Sequence, residues 1–223
     1  MKLFIWDFHG VLEKGNDEIV LEITNRALKI HGHSRQMTRQ EGEFLSGRLW
    51  RDYFAYLIPE LDENEKLALH STCIELTQNS PEIFTKHVRV NDHVVHVLEA
   101  IEASKHAQIL ISNTQPHILD TYVGLVGIEK YFPSTHRFGT DSSVQHRKTK
   151  RDCLHEFLSI SQKFNEIISI GDSPGDMELS NVPSIKGTSY LYSYPNRAPR
   201  LAQCHYTIDD LRMVLREIEV AKQ

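Results

Sequence analysis

Three short, nearly all-apolar runs constrain this chain more than any other feature: Leu3-Phe4-Ile5-Trp6, Ile109-Leu110-Ile111 and Ile167-Ile168-Ser169-Ile170. Runs of this length without alternation read as strands buried on both faces of a parallel sheet. Each ends in a polar cluster: Asp7-Phe8-His9-Gly10, Ser112-Asn113-Thr114 and Gly171-Asp172-Ser173-Pro174-Gly175-Asp176. Helical patterns lie between the strands. Asp92 to Ser104 offers Val94, Val95, Val97, Leu98 and Ile101 for burial, and Thr149 to Ile160 offers Leu154, Phe157 and Leu158, with Thr149 and Asp152 spaced as a capping box. Strands alternating with helices predict an open, doubly wound, Rossmann-like α/β sheet, in which ligands bind at the carboxyl ends of the strands. All three polar clusters fall there.

Residues 16–86 follow a different pattern. They read as helices over Glu18 to Ile30, Arg39 to Leu57 and Glu63 to Gln78, with Asp17, Thr38 and Asp62 as N-caps and Pro59 and Pro81 as stops. The expectation is an all-helical insert at 16–86 within a core built from 1–15 and 87–223.

With 223 residues, 40% of them hydrophobic and 25% charged, the chain can bury a core and one modest insert. A net charge of −5 argues against a general nucleic-acid binder, which needs a basic face to displace phosphate counterions. No apolar run approaches the roughly 20 residues that span a bilayer, and the opening MKLFIWDF lacks the form of a signal peptide. Cys73, Cys153 and Cys204 are odd in number and widely spaced, as expected of reduced thiols in the cytoplasm. The pairs His31/His33 and His93/His96 have chelating spacings but no third ligand nearby, and read as solvated surface.

The strand-end clusters suit one kind of chemistry. An aspartate at a strand tip, as Asp7 is, can attack phosphorus and split hydrolysis into two easier steps. Asp172 and Asp176, four apart on a Gly/Pro turn, supply the hard oxygens that suit Mg²⁺. Ser112 with the amides of Asn113 and Thr114 can bond phosphate oxygens. Lys148 or Lys150 can neutralise charge on the nucleophile and phosphate.

Taken in order, these residues resemble the haloacid dehalogenase superfamily, in its phosphatase branch with a helical cap. Asp7-Phe8-His9-Gly10-Val11-Leu12 is similar to the first motif, Asp-x-Asp-Gly-x-Leu. Ser112 with Asn113 is similar to the second motif, and Gly171-Asp172 through Asp176 to the fourth. The resemblance implies a Mg²⁺-dependent phosphomonoesterase acting on a small phosphorylated metabolite through an aspartyl-phosphate on Asp7. It further implies Lys148 as the motif lysine with Lys150 as the fallback, metal held by Asp7, Asp172, Asp176 and the backbone of His9, and Asn113 and Arg48 at the substrate. The tail Tyr206 to Leu211 looks like the family's last strand and helix.

The departure is His9, which stands where the family's second aspartate protonates the leaving oxygen and then activates water. Histidine can do both, so His9 is expected to be the acid/base. Other readings stay open. The substrate could be a phosphoprotein met by Trp50 and Tyr53. The chemistry could be cleavage of a C–halogen bond, or of a C–phosphorus bond with an imine on Lys29, Lys66 or Lys86. The chain could also be a phosphate-binding regulator that has lost proton transfer.

Overall fold

The first strand, β1 (Lys2–Trp6), is inaccessible from Leu3 onward, as four consecutive apolar residues require when both faces are covered. The computed structural model describes residues 1–45, 48, 50–140, 148–161, 163–194 and 201–218. Its contacts divide the chain into two units, Met1–Lys14 with Arg89–Gln223, and Gly15–Val88.

In chain order the elements are β1, β2 (Glu13–Lys14), α1 (Asn16–Ile30), α2 (Arg39–Leu45), α3 (Trp50–Leu57), α4 (Glu63–Asn79), α5 (Pro81–His87), β3 (Arg89–Val90), α6 (Val94–Ala103), β4 (Ala107–Ser112), α7 (Pro116–Val126), β5 (Arg137–Gly139), α8 (Lys150–Ile160), β6 (Glu166–Gly171), α9 (Pro174–Met177), β7 (Lys186–Tyr192) and β8 (Tyr206–Ile208).

In the first unit, six parallel strands run in the order β5-β4-β1-β6-β7-β8. The doubly wound α/β expectation therefore holds, and the three apolar runs are the central strands β4, β1 and β6. Trp6 lies opposite Leu110 on one side and Ile170 on the other, so Asp7, Ser112 and Asp172 leave the sheet at one edge. Helix α8 packs Cys153, Leu154 and Phe157 onto Leu3, Ile5, Ile109, Ile111 and Ile167. Each large apolar side chain so buried contributes about 1.5–3 kcal/mol. The helix begins where expected, on a capping box in which Thr149 and Asp152 exchange hydrogen bonds.

Several expectations are corrected. Val95 is exposed, because adjacent positions on a helix point about 100° apart and the buried stripe runs through Val94, Val97, Leu98 and Ile101. After β8 the chain forms a 3₁₀ segment, Leu211–Glu217, capped by Asp210, in place of an α-helix. Strands β5 and β7 had no apolar run to announce them.

The second unit is helical, with Ile19, Ile23, Ala27, Phe54, Leu57, Leu69, Cys73 and Ile83 in its core. Asp62 forms a capping box with Glu65, and Thr38 and Glu41 bond one another's backbone in the same manner. Asp17 is not an N-cap: Gly15 takes that position at φ 115°, and Asp17 sits in the first turn, where its charge faces the positive end of the helix. The helix expected from Arg39 to Leu57 is two, α2 and α3. Pro81 both stops α4 and starts α5, since a missing N–H costs nothing at the first helical position.

Candidate active site

Asp7 follows β1 directly and is held in register by its N–H, which donates to the Ile170 carbonyl at 2.9 Å. The chain must turn at once, and Gly10 allows it at φ +79°. A Cβ there would lie 3.0 Å from an Asp172 carboxylate oxygen. Gly171 serves the site in another way. A Cβ on it would fall 2.1 Å from the Asp176 Cβ, so only glycine lets Asp176 tuck against the end of β6.

Carboxylate oxygens of Asp7, Asp172 and Asp176 lie within 4.8 Å of one another, the one such cluster of possible metal ligands among the described residues. Asp176 is fully buried. Its Oδ2 accepts from the Ser173 N–H at 3.1 Å and the Ser173 hydroxyl at 2.5 Å, while its Oδ1 faces Lys150. Lys150 Nζ is 2.6 Å from Asp7 Oδ1 and 2.6 Å from Asp176 Oδ1.

Of the two lysines expected from the sequence, the structure brings the fallback, Lys150, to Asp7. Lys148 is half-exposed and pairs with Glu156 on the outer side of α8. Lys150, at the first position of α8 and two residues further on, is the one turned inward.

Among the described residues, one ammonium, that of Lys150, is shared by the Asp7 and Asp176 carboxylates. Burial, then Asp176, push the Asp7 carboxyl above its ordinary pKa, against the opposing pull of Lys150 and His9. Burial works to lower the Lys150 ammonium, but Asp7 and Asp176 outweigh it and hold that pKa above the usual lysine range. Hard carboxylate oxygens gathered this closely, buried on Asp7 and Asp176 and half-buried on Asp172, are a donor set that fits a divalent cation such as Mg²⁺.

Ser112 ends β4 almost fully buried, and its hydroxyl donates to Thr114 Oγ1 at 3.2 Å. Asn113 is exposed and accepts from the Thr140 hydroxyl at 3.0 Å. It lines a cavity of about 190 Å³ with Thr149, Lys150, Arg151, Ser173 and Glu178. The following helix starts only at Pro116, two residues beyond the expected amides.

His9 is held at both nitrogens, Nδ1 2.8 Å from Glu13 Oε1 and Nε2 2.7 Å from Thr114 Oγ1. The edges of Phe8 and Tyr122 confine the ring. Neither partner was anticipated from the sequence. The available signal was Glu13 itself, a charged residue directly after Val11-Leu12 and four positions from His9.

The remaining expected residues belong to the helical unit. Arg48 is exposed, with its guanidinium 5.0 Å from the Phe44 ring centroid. Tyr53 is 3% exposed and therefore core, which removes half of the aromatic platform. The Trp50 indole donates to Thr24 Oγ1. Lys66 pairs with Glu63 and Lys86 with Glu22, leaving exposed Lys29 without any feature that favours imine chemistry. The three cysteines are free thiols, and no helix among the described residues is long and apolar enough to cross a membrane.

Residues 4–186 match the family model of the haloacid dehalogenase-like hydrolases. A search of curated proteins finds no match. Among solved structures, a candidate phosphatase from Clostridium difficile superposes with a TM-score of 0.81 at 13% identity, covering 97% of this chain and 98% of that one. A subfamily IA hydrolase of the same superfamily from Geobacter sulfurreducens gives 0.73 at 16% identity, covering 98% and 97%. A candidate phosphoglycolate phosphatase from Haemophilus somnus gives 0.73 at 17% identity, covering 98% of each chain. At these identities the structures speak to the fold alone.

Proposed function

The chain belongs to the haloacid dehalogenase-like hydrolases, and on that premise we propose that it is a Mg²⁺-dependent phosphomonoesterase that passes the phosphoryl group through Asp7. The observation that carries the reading is the convergence of Asp7, Asp172, Asp176 and Lys150 at one end of the sheet. Mg²⁺ would be held by the three aspartates and the His9 backbone carbonyl, and when bound it supplies charge neutralisation for the carboxylate and the phosphate.

In this reading the Asp7 carboxylate attacks phosphorus and the ester oxygen leaves with a proton from His9. Water then attacks the aspartyl-phosphate, gives a proton back to His9, and releases inorganic phosphate and free Asp7. Lys150 keeps Asp7 ionised and faces the charge that builds up in both steps. Ser112 and Asn113 bond phosphate oxygens. The helical unit acts as the cap, with the exposed Arg48 as a substrate contact. A small phosphorylated metabolite in the cytoplasm is the substrate of this reading; the small size of the cavity that Asn113 and Lys150 line and the burial of Tyr53 support the substrate class.

One observation favours a second reading. Both nitrogens of His9 are already bonded within the protein, as would suit a phosphate-binding regulator in which the ring is locked. Turnover of a panel of metabolite phosphates and phosphopeptides, with Mg²⁺ and after its chelation, separates these readings. Metabolite hydrolysis that stops on chelation is expected. Preference for phosphopeptides would move the substrate class, and Mg²⁺-dependent phosphate binding without turnover would favour the regulator.

A further inference from the structure

We infer that Glu13 is a positioning residue that fixes which nitrogen of His9 faces the reaction. This rests on the reading of His9 as the proton carrier and adds a residue that the family motifs do not contain.

Glu13 is a carboxylate where a hydrophobic residue would serve the fold better. Its side chain is 0% exposed, it follows the fully buried Val11 and Leu12, and its Oε2 has no hydrogen-bond partner among the described residues. Burying a carboxylate costs several kcal/mol unless partners repay it. The side-chain partner seen is His9 Nδ1, on Oε1. The backbone of Glu13 is fixed independently: its N–H donates to the Phe8 carbonyl, its carbonyl accepts from the Tyr194 hydroxyl, and it pairs with Val90 across β2 and β3. The carboxylate is therefore held still and aimed at the ring.

A carboxylate only accepts hydrogen bonds, so the proton between Glu13 and His9 sits on Nδ1. In neutral His9, Nε2 is then the basic nitrogen, facing the Thr114 hydroxyl. Thr114 Oγ1 in turn accepts from Ser112. The donors run in one direction, from Ser112 to Thr114 to Nε2, and from Nδ1 to Glu13. With Phe8 and Tyr122 closing the ring's sides, that arrangement has one tautomer and one orientation. Substrate binding then needs to displace only Thr114: Nε2 gives the leaving oxygen its proton when His9 is imidazolium, and in the neutral form left behind it is the nitrogen that takes the proton of the attacking water.

The test uses the full chain with Glu13→Gln and Glu13→Leu variants, p-nitrophenyl phosphate and Mg²⁺. Long-range proton–nitrogen NMR, with the His9→Ala spectrum as the assignment, reads the His9 tautomer directly. In the wild-type protein the proton is expected on Nδ1, and Glu13→Leu is expected to move it toward Nε2. In the leucine variant kcat is expected to fall on the order of 10²-fold with KM within about threefold. Tm is expected to be unchanged or higher in Glu13→Leu, because an uncompensated buried oxygen has been removed, and close to wild type in Glu13→Gln, which keeps a polar group of the same shape. Persistence of the Nδ1–H form in Glu13→Leu would overturn the inference. So would a lowered Tm with kcat preserved per folded molecule, which describes a purely structural glutamate. If the wild-type protein hydrolyses no phosphate ester, the phosphatase reading fails by itself, and the NMR comparison still decides the role of Glu13.

Discussion

Lys150 Nζ and Asp7 Oδ1 meet at 2.6 Å across 143 residues of sequence, inside a site that shields both from water. This pair links the nucleophile proposed on β1 to the first turn of α8, and Asp176 shares the same ammonium. Replacing Lys150 with Met is expected to lower kcat by about 10²–10³-fold. It should also cost about 3 kcal/mol of stability, because two buried carboxylates lose their counter-charge. Lys148→Ala should change neither by much, since that side chain is half-exposed and, among the described residues, pairs with the exposed Glu156. Steady-state kinetics on protein checked for folding by circular dichroism distinguishes the two lysines.

The lysine also shows where reading the sequence stops. The two lysines flank the N-cap Thr149, and a linear pattern places either at the mouth of α8. Which one turns inward depends on the phase of the first helical turn, fixed once Thr149 takes the N-cap and Lys150 becomes the first helical residue. The central strands were legible because continuous burial leaves a composition that needs no partner to interpret. Strand β7 was not: Lys186-Gly187-Thr188-Ser189-Tyr190-Leu191-Tyr192 carries its polar residues into the sheet through tertiary partners such as Glu166 and His205. The Asp172–Asp176 spacing was legible as chemistry. The Glu13–His9–Thr114 chain was not, because its last link spans 105 residues.

Removal of divalent cation should destabilise the first unit. At a Mg²⁺ concentration of about 100 Kd, binding contributes about 2.7 kcal/mol, and chelation should abolish it. Asp172→Asn should weaken the apparent Mg²⁺ Kd by about tenfold, a loss of about 1.4 kcal/mol. Thermal shift as a function of Mg²⁺ concentration measures both, and an unchanged Kd in Asp172→Asn would remove that residue from the ligand set.

Gly171→Ala tests the packing behind the site. The added methyl would sit 2.1 Å from the Asp176 Cβ, so β6 or α9 must shift. Urea denaturation should show a loss of about 1–3 kcal/mol, and turnover should fall with it as Asp176 leaves Lys150. Wild-type stability would mean that the turn can relax.

The helical unit carries an acid-sensitive element of its own. Glu22 is held down to a pKa of about 2 from an ordinary 4.5, by Lys86 and then His87, with Arg26 adding to both. A depressed carboxylate gives stability that is present above about pH 4.5 and is lost as pH falls toward about 2. Glu22→Gln should therefore cost about 1 kcal/mol at pH 6, after solvent screening is allowed for, and nothing near pH 2. Denaturation of both proteins across that range tests the window. A constant difference at all pH values would assign the effect to shape instead of charge.

The central claim is the nucleophile. Hydrolysis of a phosphate ester by the wild-type protein and by Asp7→Asn, at saturating Mg²⁺ and equal folded concentration, is its most direct test. Asparagine preserves the shape of the side chain but cannot attack phosphorus, so turnover should fall by at least about 10³-fold. Equal hydrolysis by Asp7→Asn would contradict the account.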